Sequence, residues 1–428
     1  MLLLEPIVYY KQILKDYKNS FLAEDNFQVI IGINAKYIDG KTISFDDFKQ
    51  KFYEAKKEDN TKAPFAGLFG ITSYEMVDEF EVIGENKKSL YKFPKFIYAN
   101  ASSYLHYDKI SKIYTYYGTD FKYYDKLKEL KTTKDNIKED RYYTIKTNLK
   151  DEKEYFDKMV KTAKKYIENG DVFQVVLSQI LEISTNLDSL KFYIELKANN
   201  PSPYMFHFPT PYGDVVGSSP ELIMEIRDSE IFVAPIAGTR SRGRTPNEDE
   251  KLKKELLKDE KELAEHRMLI DLARNDIGKF AKAGSVRVKN PMQVVKYEHV
   301  MHIVSEVYGK KPKNVSSFDI LSVVFPAGTL SGSPKIRAMQ IINELECSKR
   351  GIYGGGIGFW HFNGDVQMAI LIRSAIFIPN KKDDKNLVFI GAGAGIVYDS
   401  ISKNEYSEIC KKRRSCLRVI EKLCKEID

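Results

Sequence analysis

The chain has 428 residues, 43% hydrophobic and 12% aromatic, which is ample for a large core in one big domain or two intimate ones. A net charge of +7, with 30% of residues charged, is modest and spread over many lysines, so it singles out no polyanionic partner. Four cysteines (Cys347, Cys410, Cys416, Cys424) without paired zinc spacing, no basic-then-apolar leader at Met1 and no apolar run of about 18 residues predict reduced, buried thiols in a cytoplasmic protein, neither exported nor membrane-spanning.

Residues 1–145 alternate short apolar runs with polar turns, and strands are expected at 29–33, 66–71, 96–99 and 113–117. The lysine-rich, weakly apolar stretch 124–150 reads as a linker or a long surface excursion, between an N-terminal region (1–145) and a second region (146–428). The pattern turns helical over 151–169 and stops at Gly170. Strands are expected at 172–183, 204–208, 222–226 and 231–235, then one long helix over 247–276. Further strands cover 353–362, 366–377 and 387–397, and a last helix covers 403–427. Strands flanked by a few long helices, without regular βα alternation, predict an α+β fold with largely antiparallel sheets.

Two of these helices carry acids at i and i+3. In 261–276, free of Pro and Gly, Glu262, Glu265, Leu269 and Leu272 share one face. The consecutive Met268, Leu269 and Ile270 point apolar groups in several directions, which predicts a mostly buried helix. Its two carboxylates either pair with lysines on a solvated edge or face a cavity. In a cavity they need a cation, and a hard divalent metal is one answer. In the last helix Glu405 and Glu408 repeat the spacing. Ser402 and Glu405 also fit a capping box, whereas Glu408 has no such alternative. Tyr406, Cys410, Leu417, Ile420, Cys424 and Ile427 form the predicted buried stripe, interrupted by Arg413, and Glu408 and Lys412 form their own face. Convergence of the two acidic faces on one magnesium ion is the hypothesis this sets up.

Several loops suit a small anion. Phe325–Lys335 is a turn running into a helix, with Ser333 as expected N-cap and Pro334 at the first helical position. Its free N–H groups fit a carboxylate, although locally a plain loop-to-helix junction is the better explanation. Gly391–Gly395 follows an apolar strand and exposes several N–H groups, but no helix follows, so it is not a dinucleotide fingerprint. Arg373 interrupts the apolar run 368–372 and needs an anion there, from a ligand or from the protein.

Six motifs stand in order: Gly217-Ser218-Ser219-Pro220-Glu221-Leu222, Pro235 through Arg240, Ala264-Glu265-His266 through Asp276, Phe325 through Lys335, Arg350 through Gly355, and Gly391 through Val397. Together they resemble the chorismate-utilising enzymes, most closely the anthranilate synthase component I branch, over about residues 150–425 and more loosely N-terminal to that. The resemblance implies large, mostly antiparallel sheets forming a sandwich flanked by helices around a deep chorismate site. Glu265 and Glu408 match direct Mg2+ ligands, and Glu262 and Glu405 match acids acting through metal-bound water. Tyr353 and Arg373 match the grip on the enolpyruvyl carboxylate, with the backbone of Gly393, Ala394 and Gly395. Thr329, Lys412 and the segment Ala237-Gly238-Thr239 match other substrate contacts.

The resemblance also distributes chemistry. Glu221 matches the general acid at the C4 hydroxyl, which requires a raised pKa. Gln174 stands where water-adding relatives carry a lysine base, and glutamine cannot take a proton, which suits ammonia. His302 matches the histidine of pyruvate elimination. Ala237 replaces the nucleophilic lysine of aminodeoxychorismate synthases, the nearest alternative. No cysteine lies in a Gly-flanked strand-to-helix turn, which predicts a separate glutamine amidotransferase subunit as ammonia source. Tryptophan, the expected feedback inhibitor, would bind between Phe21-Leu22-Ala23-Glu24-Asp25 and Asn200-Pro201-Ser202-Pro203-Tyr204-Met205, with Asp25 in place of the usual serine. A different class, a nucleic-acid-binding or scaffold protein using Lys411-Lys412-Arg413-Arg414, lacks any aromatic-basic recognition motif.

Overall fold

The computed structural model describes residues 2–85, 87–131, 140–296, 300–380 and 385–427; the expected linker falls partly outside them. Among the described residues the strands form one network, antiparallel throughout except where Lys425–Glu426 lies beside Tyr142–Ile145. Its hub is the strand Phe96–Asp108. The hub pairs with Gln28–Asp39 along most of its length and with Gly67–Thr72 at its start.

Two arms leave this hub. The first runs from Gln28–Asp39 through Phe21–Glu24, Tyr204–Phe208, Asp214–Ser219, Ser374–Asn380 and Lys385–Ile396 to Gln174–Thr185. The second runs from Gly67–Thr72 through Gly356–His361, Val366–Ile370, Leu222–Arg227 and Glu230–Val233 to Val300–Lys310, which also takes Ile236–Ser241 and Arg287–Lys296. Aromatic side chains from the two arms meet face to face. Phe21 lies 4.6 Å from Phe69 and 6.0 Å from Phe359, and Phe69 lies 5.4 Å from Phe208, between ring centroids. This is the interior of the expected sandwich, filled because alternate residues of each strand point inward. Helices cover the outside: Tyr10 and Ile13, Phe192 and Leu196, and Cys416 and Ile420 all pack against Leu181, Ile183 and Val388 of the first arm.

Several expected elements differ. The helix predicted over 247–276 is two, Pro246–Leu256 and Glu260–Gly278, because Asp259 accepts the Glu262 N–H at 3.3 Å and starts a second helix. The strand predicted over 366–377 breaks into Val366–Ile370 and Ser374–Asn380, with Arg373 between them at φ 52°. The helix after Ser333 begins at Lys335 with no side-chain cap, and Ser333 instead pairs with Gln174 in a two-residue strand. In the last helix, Ser402–Leu423, the buried stripe is Ile409, Arg413, Cys416, Val419 and Ile420. Tyr406, Cys410 and Leu417 are only half-buried, and Ile427 is exposed. Arg413 turns that stripe inward because Glu152 accepts from it at 2.6 and 2.9 Å in the core. The cysteines are free, but Cys347 is exposed rather than buried. Among the described residues no helix is long and apolar enough to cross a membrane.

Candidate active site

The helix Glu260–Gly278 buries His266, Leu269, Ile270, Ala273 and Ile277, with His266 Nε2 bonded to Ser305 Oγ at 2.7 Å. That anchor turns Glu262 and Glu265 toward the end of the first arm. There the Gln174 amide donates to Glu265 Oε1 at 2.6 Å. Burial pushes the Glu265 carboxyl up, the Gln174 bond opposes this, and the charge of Glu408 adds to the rise. Glu262 is also pushed up, by burial first and then by Glu265, although Arg240 donates to it at 3.3 Å.

From the other side comes the helix Ser402–Leu423. Its N-cap is Ile401 without a side-chain bond, so the capping box does not form and Glu405 is left buried beside the cavity. Burial raises the Glu405 carboxyl against a Ser400 hydrogen bond, and Glu408 raises it further. Glu408 pairs with Lys412 at 2.7 Å, and Lys412 Nζ also donates to the Gly393 carbonyl at 2.8 Å. The two acidic faces therefore act on each other through space, with Lys261 and Lys412 opposing the rise at Glu265 and Glu405. No three His, Cys, Asp or Glu side chains among the described residues gather closely enough to hold a metal by themselves.

Glu221 lies at the base of the second arm, nearly fully buried, and Thr329 Oγ1 donates to its Oε1 at 2.9 Å. Thr329 comes from the loop helix Gly328–Ser331, so the expected carboxylate-binding turn instead reaches a protein carboxyl. Burial drives the Glu221 carboxyl up to about 7, against the Thr329 bond and the charge of Lys412. His302 sits opposite Thr239 in the ladder, and a bulge between Ala237 and Thr239 turns the Gly238 carbonyl, at φ 63°, toward His302 Nδ1 at 3.1 Å. A carbonyl only accepts, so Nδ1 carries the proton and Nε2 is the basic nitrogen. Burial first, then the charges of Arg373 and Lys412, lower its pKa despite the Gly238 bond, which keeps the ring neutral at neutral pH. The side chain of Thr239 lies outside the described residues.

The floor is the strand segment Gly391–Gly395, paired on one side with Gln174–Thr185. A Cβ at Gly391 would sit 2.5 Å from the Tyr353 ring, one at Gly393 2.8 Å from Tyr353 Oη, and one at Gly395 2.5 Å from the Gln174 amide nitrogen. Ala394 between them is buried. Tyr353 is buried too, beside the guanidinium of Arg350, which stacks over Tyr74 at 4.6 Å. Arg373 is half-buried, and among the described residues no carboxylate forms an ion pair with it. Glu408 and Tyr353 act on it through space.

Sequence reasoning missed three contributors. Arg240 ties Glu262 to the cap Asp259, the latter at 2.6 Å. Arg350 binds Glu346, the Leu330 carbonyl at 2.7 Å and the Val176 carbonyl at 2.7 Å, so it joins the Thr329 loop to the strand of Gln174. Glu75 accepts the Gly351 N–H at 3.1 Å and steadies the Tyr353 loop from the N-terminal region. Arg240 and Arg350 lay inside quoted motifs, which was the available signal; Glu75 carried none. Away from this centre, Asp25, Tyr204 and Met205 line a cavity of about 50 Å³ with Glu24 and Phe359. Pro203 precedes that strand without lining the cavity, and the Asp25 carboxylate accepts from the Phe27 and Gln28 N–H groups at 2.7 and 2.8 Å.

The sequence signature of the family described as chorismate binding enzyme matches residues 6–418. The chain belongs to that family. Among chorismate binding enzymes, anthranilate synthase component 1 of Aquifex aeolicus is 48% identical over 298 residues, 69% of this chain and 59% of that protein. The component 1 of Acetivibrio thermocellus is 50% identical over 269 residues, 63% of this chain and 53% of that protein. The matched part thus spans little more than half of those relatives. Crystalline anthranilate synthase component I from Streptococcus pneumoniae superposes with a TM-score of 0.75 at 32% identity, covering 96% of this chain and 97% of that one. The menaquinone-specific isochorismate synthase of Escherichia coli has the same fold, with a TM-score of 0.75 at 16% identity over 97% of this chain and 91% of that one.

Proposed function

We propose that this family member is the chorismate-converting subunit of an anthranilate synthase, an oxo-acid-lyase that turns chorismate and ammonia into anthranilate and pyruvate for tryptophan biosynthesis. The observation that carries this reading is the contrast between Glu221, buried with a pKa of about 7, and Gln174, which offers no base. Glu221 gives its proton to the C4 hydroxyl, which leaves as water while ammonia adds at C2, forming aminodeoxyisochorismate. Ammonia needs no base to attack, and the added amine then sheds one proton. His302 Nε2 takes the C2 proton as the C3–O bond breaks and the ring becomes aromatic, and the departing enolpyruvate takes up a proton at its methylene carbon to become pyruvate. Arg373 and Tyr353 hold the enolpyruvyl carboxylate against the glycine floor.

The donor set suits a hard, water-rich dication: four carboxylates in two pairs, of which Glu262, Glu265 and Glu405 are raised by burial first and then by a neighbouring carboxylate. Glu265 and Glu408 would hold a magnesium ion directly, and Glu262 and Glu405 through its waters. When bound, the ion supplies charge neutralisation at the ring carboxylate. Ala237 supports direct addition of ammonia over attack by a protein lysine. We also propose that ammonia comes from a separate glutamine amidotransferase subunit and that tryptophan acts at the cavity of Asp25, Tyr204 and Met205.

Product identification tests the whole. Purified protein with chorismate, magnesium and ammonium at alkaline pH should develop anthranilate fluorescence. Aminodeoxychorismate as sole product would rule the assignment out. Full activity with glutamine and no second protein would rule out the separate ammonia source, and activity indifferent to tryptophan would remove the regulatory role.

A further inference from the structure

The basic run Lys411-Lys412-Arg413-Arg414 is divided by the fold rather than presented as one patch. Lys412 turns to Glu408 and the Gly393 carbonyl, and Arg413 is buried on Glu152. Lys411 and Arg414 remain exposed, and with Arg418, Lys422, Ser415 and Arg373 they line a crevice of about 720 Å³, a volume suited to a small metabolite. Among the described residues no acidic side chain lines it. Lys422 is paired with Glu195 at 2.5 Å, but among the described residues no carboxylate pairs with Lys411, Arg414 or Arg418.

Position matters as much as charge. On a period of 3.6, Glu408, Lys412 and Ser415 follow one another along one side of the helix Ser402–Leu423. The crevice therefore lies along the same helix as Glu405 and Glu408, toward its C-terminus, and Arg418 lies roughly 15 Å along the axis from Glu408 at about 1.5 Å per residue. Arg373 is common to both, since it lines the crevice and acts on Tyr353 and His302 through space.

We propose that this crevice is the approach route by which the anionic substrate, a cyclohexadiene dicarboxylate, reaches the site, handed from Arg414 and Arg418 at the mouth to Arg373 at the inner end. Low-dielectric walls lined by one sign of charge focus field lines and raise encounter rates by about 10- to 1,000-fold, an effect that salt removes. The proposal rests on the functional reading above.

The test is the association rate of chorismate, followed by rapid-mixing fluorescence with magnesium and without ammonia. In the double variant Arg414→Glu, Arg418→Glu the rate should fall about tenfold at low ionic strength, and the difference should shrink to within about twofold near 0.5 M salt. Ser415→Trp, which narrows the crevice without changing charge, should slow association at both salt concentrations. The neutral pair Arg414→Gln, Arg418→Gln should fall between parent and reversal, and turnover at saturating chorismate should match the parent in all three, which also reports correct folding. If reversal and narrowing both leave the association rate at the parent value, the route lies elsewhere and the proposal is overturned. If the parent itself does not bind chorismate, the functional reading falls, which is a distinct outcome read before any variant is made.

Discussion

Two buried charged regions of this molecule are built on opposite rules. Around Arg350 the charge is paired: Glu346 takes the guanidinium and also the N–H and hydroxyl of Ser178 at 2.8 and 2.9 Å, and two backbone carbonyls each take one further guanidinium N–H. At the carboxylate centre, Glu221 and Glu405 are buried and Glu262 and Glu265 half-buried, their pairing is sparser, with Arg240 on Glu262 at 3.3 Å, and their carboxyls all rise above the ordinary range. Fully paired charge holds parts together; unpaired buried charge is costly to the fold and persists where an incoming ligand completes it.

The comparison breaks or sharpens at measurable points. The largest expected effect is catalytic. Glu221→Gln should lower turnover by about 10²- to 10⁴-fold, the usual contribution of a positioned acid, with little change in KM for chorismate. In the parent, turnover compared at a fixed concentration of free ammonia should decline as pH rises through about 7, because the acid must be protonated to act. Next is structural: Arg350→Ala leaves Glu346 buried without its cation and should cost about 3–5 kcal/mol of stability, read from denaturant midpoints.

A third test joins the two rules in one residue. Because the folded pKa of Glu221 is raised to about 7, its favourable share of stability is present at acid pH and lost as pH rises through that value. Glu221→Gln should therefore be more stable than the parent at pH 8–9, by up to about 3 kcal/mol at roughly 1.4 kcal/mol per pH unit, with that gain vanishing near pH 4. An inactive variant that melts higher only in alkali would be hard to explain if Glu221 were merely structural. The smallest effect is tuning. Thr329→Val removes a bond that favours the ionised Glu221, so the alkaline limb of turnover should move to higher pH by less than about one unit.

How much of this was legible in the sequence follows from the range of each interaction. The strands Tyr204–Phe208 and Ile113–Tyr117 were readable to the residue, since alternation and turn residues are local signals. The candidate site residues were named from motifs, because a resemblance carries positions that periodicity cannot. The break at Leu257–Asp259 was missed, although Asp259 followed by Glu262 was a usable cap signal. The burial of Arg413 was not readable, because its partner Glu152 is 261 positions away and neither helix pattern announces the other. Arg373 was seen as an interruption, but only the pairings of its flanking strands show that the backbone leaves the sheet there.

The glycine floor has a consequence for how such a site can change. With Tyr353 and the Gln174 amide pressed against positions 391, 393 and 395, no larger residue fits there without displacing a wall. New selectivity must therefore come from the rim, at positions such as 174 and 237, while the bottom of the cleft stays chemically blank and lends itself to any ring of the same footprint.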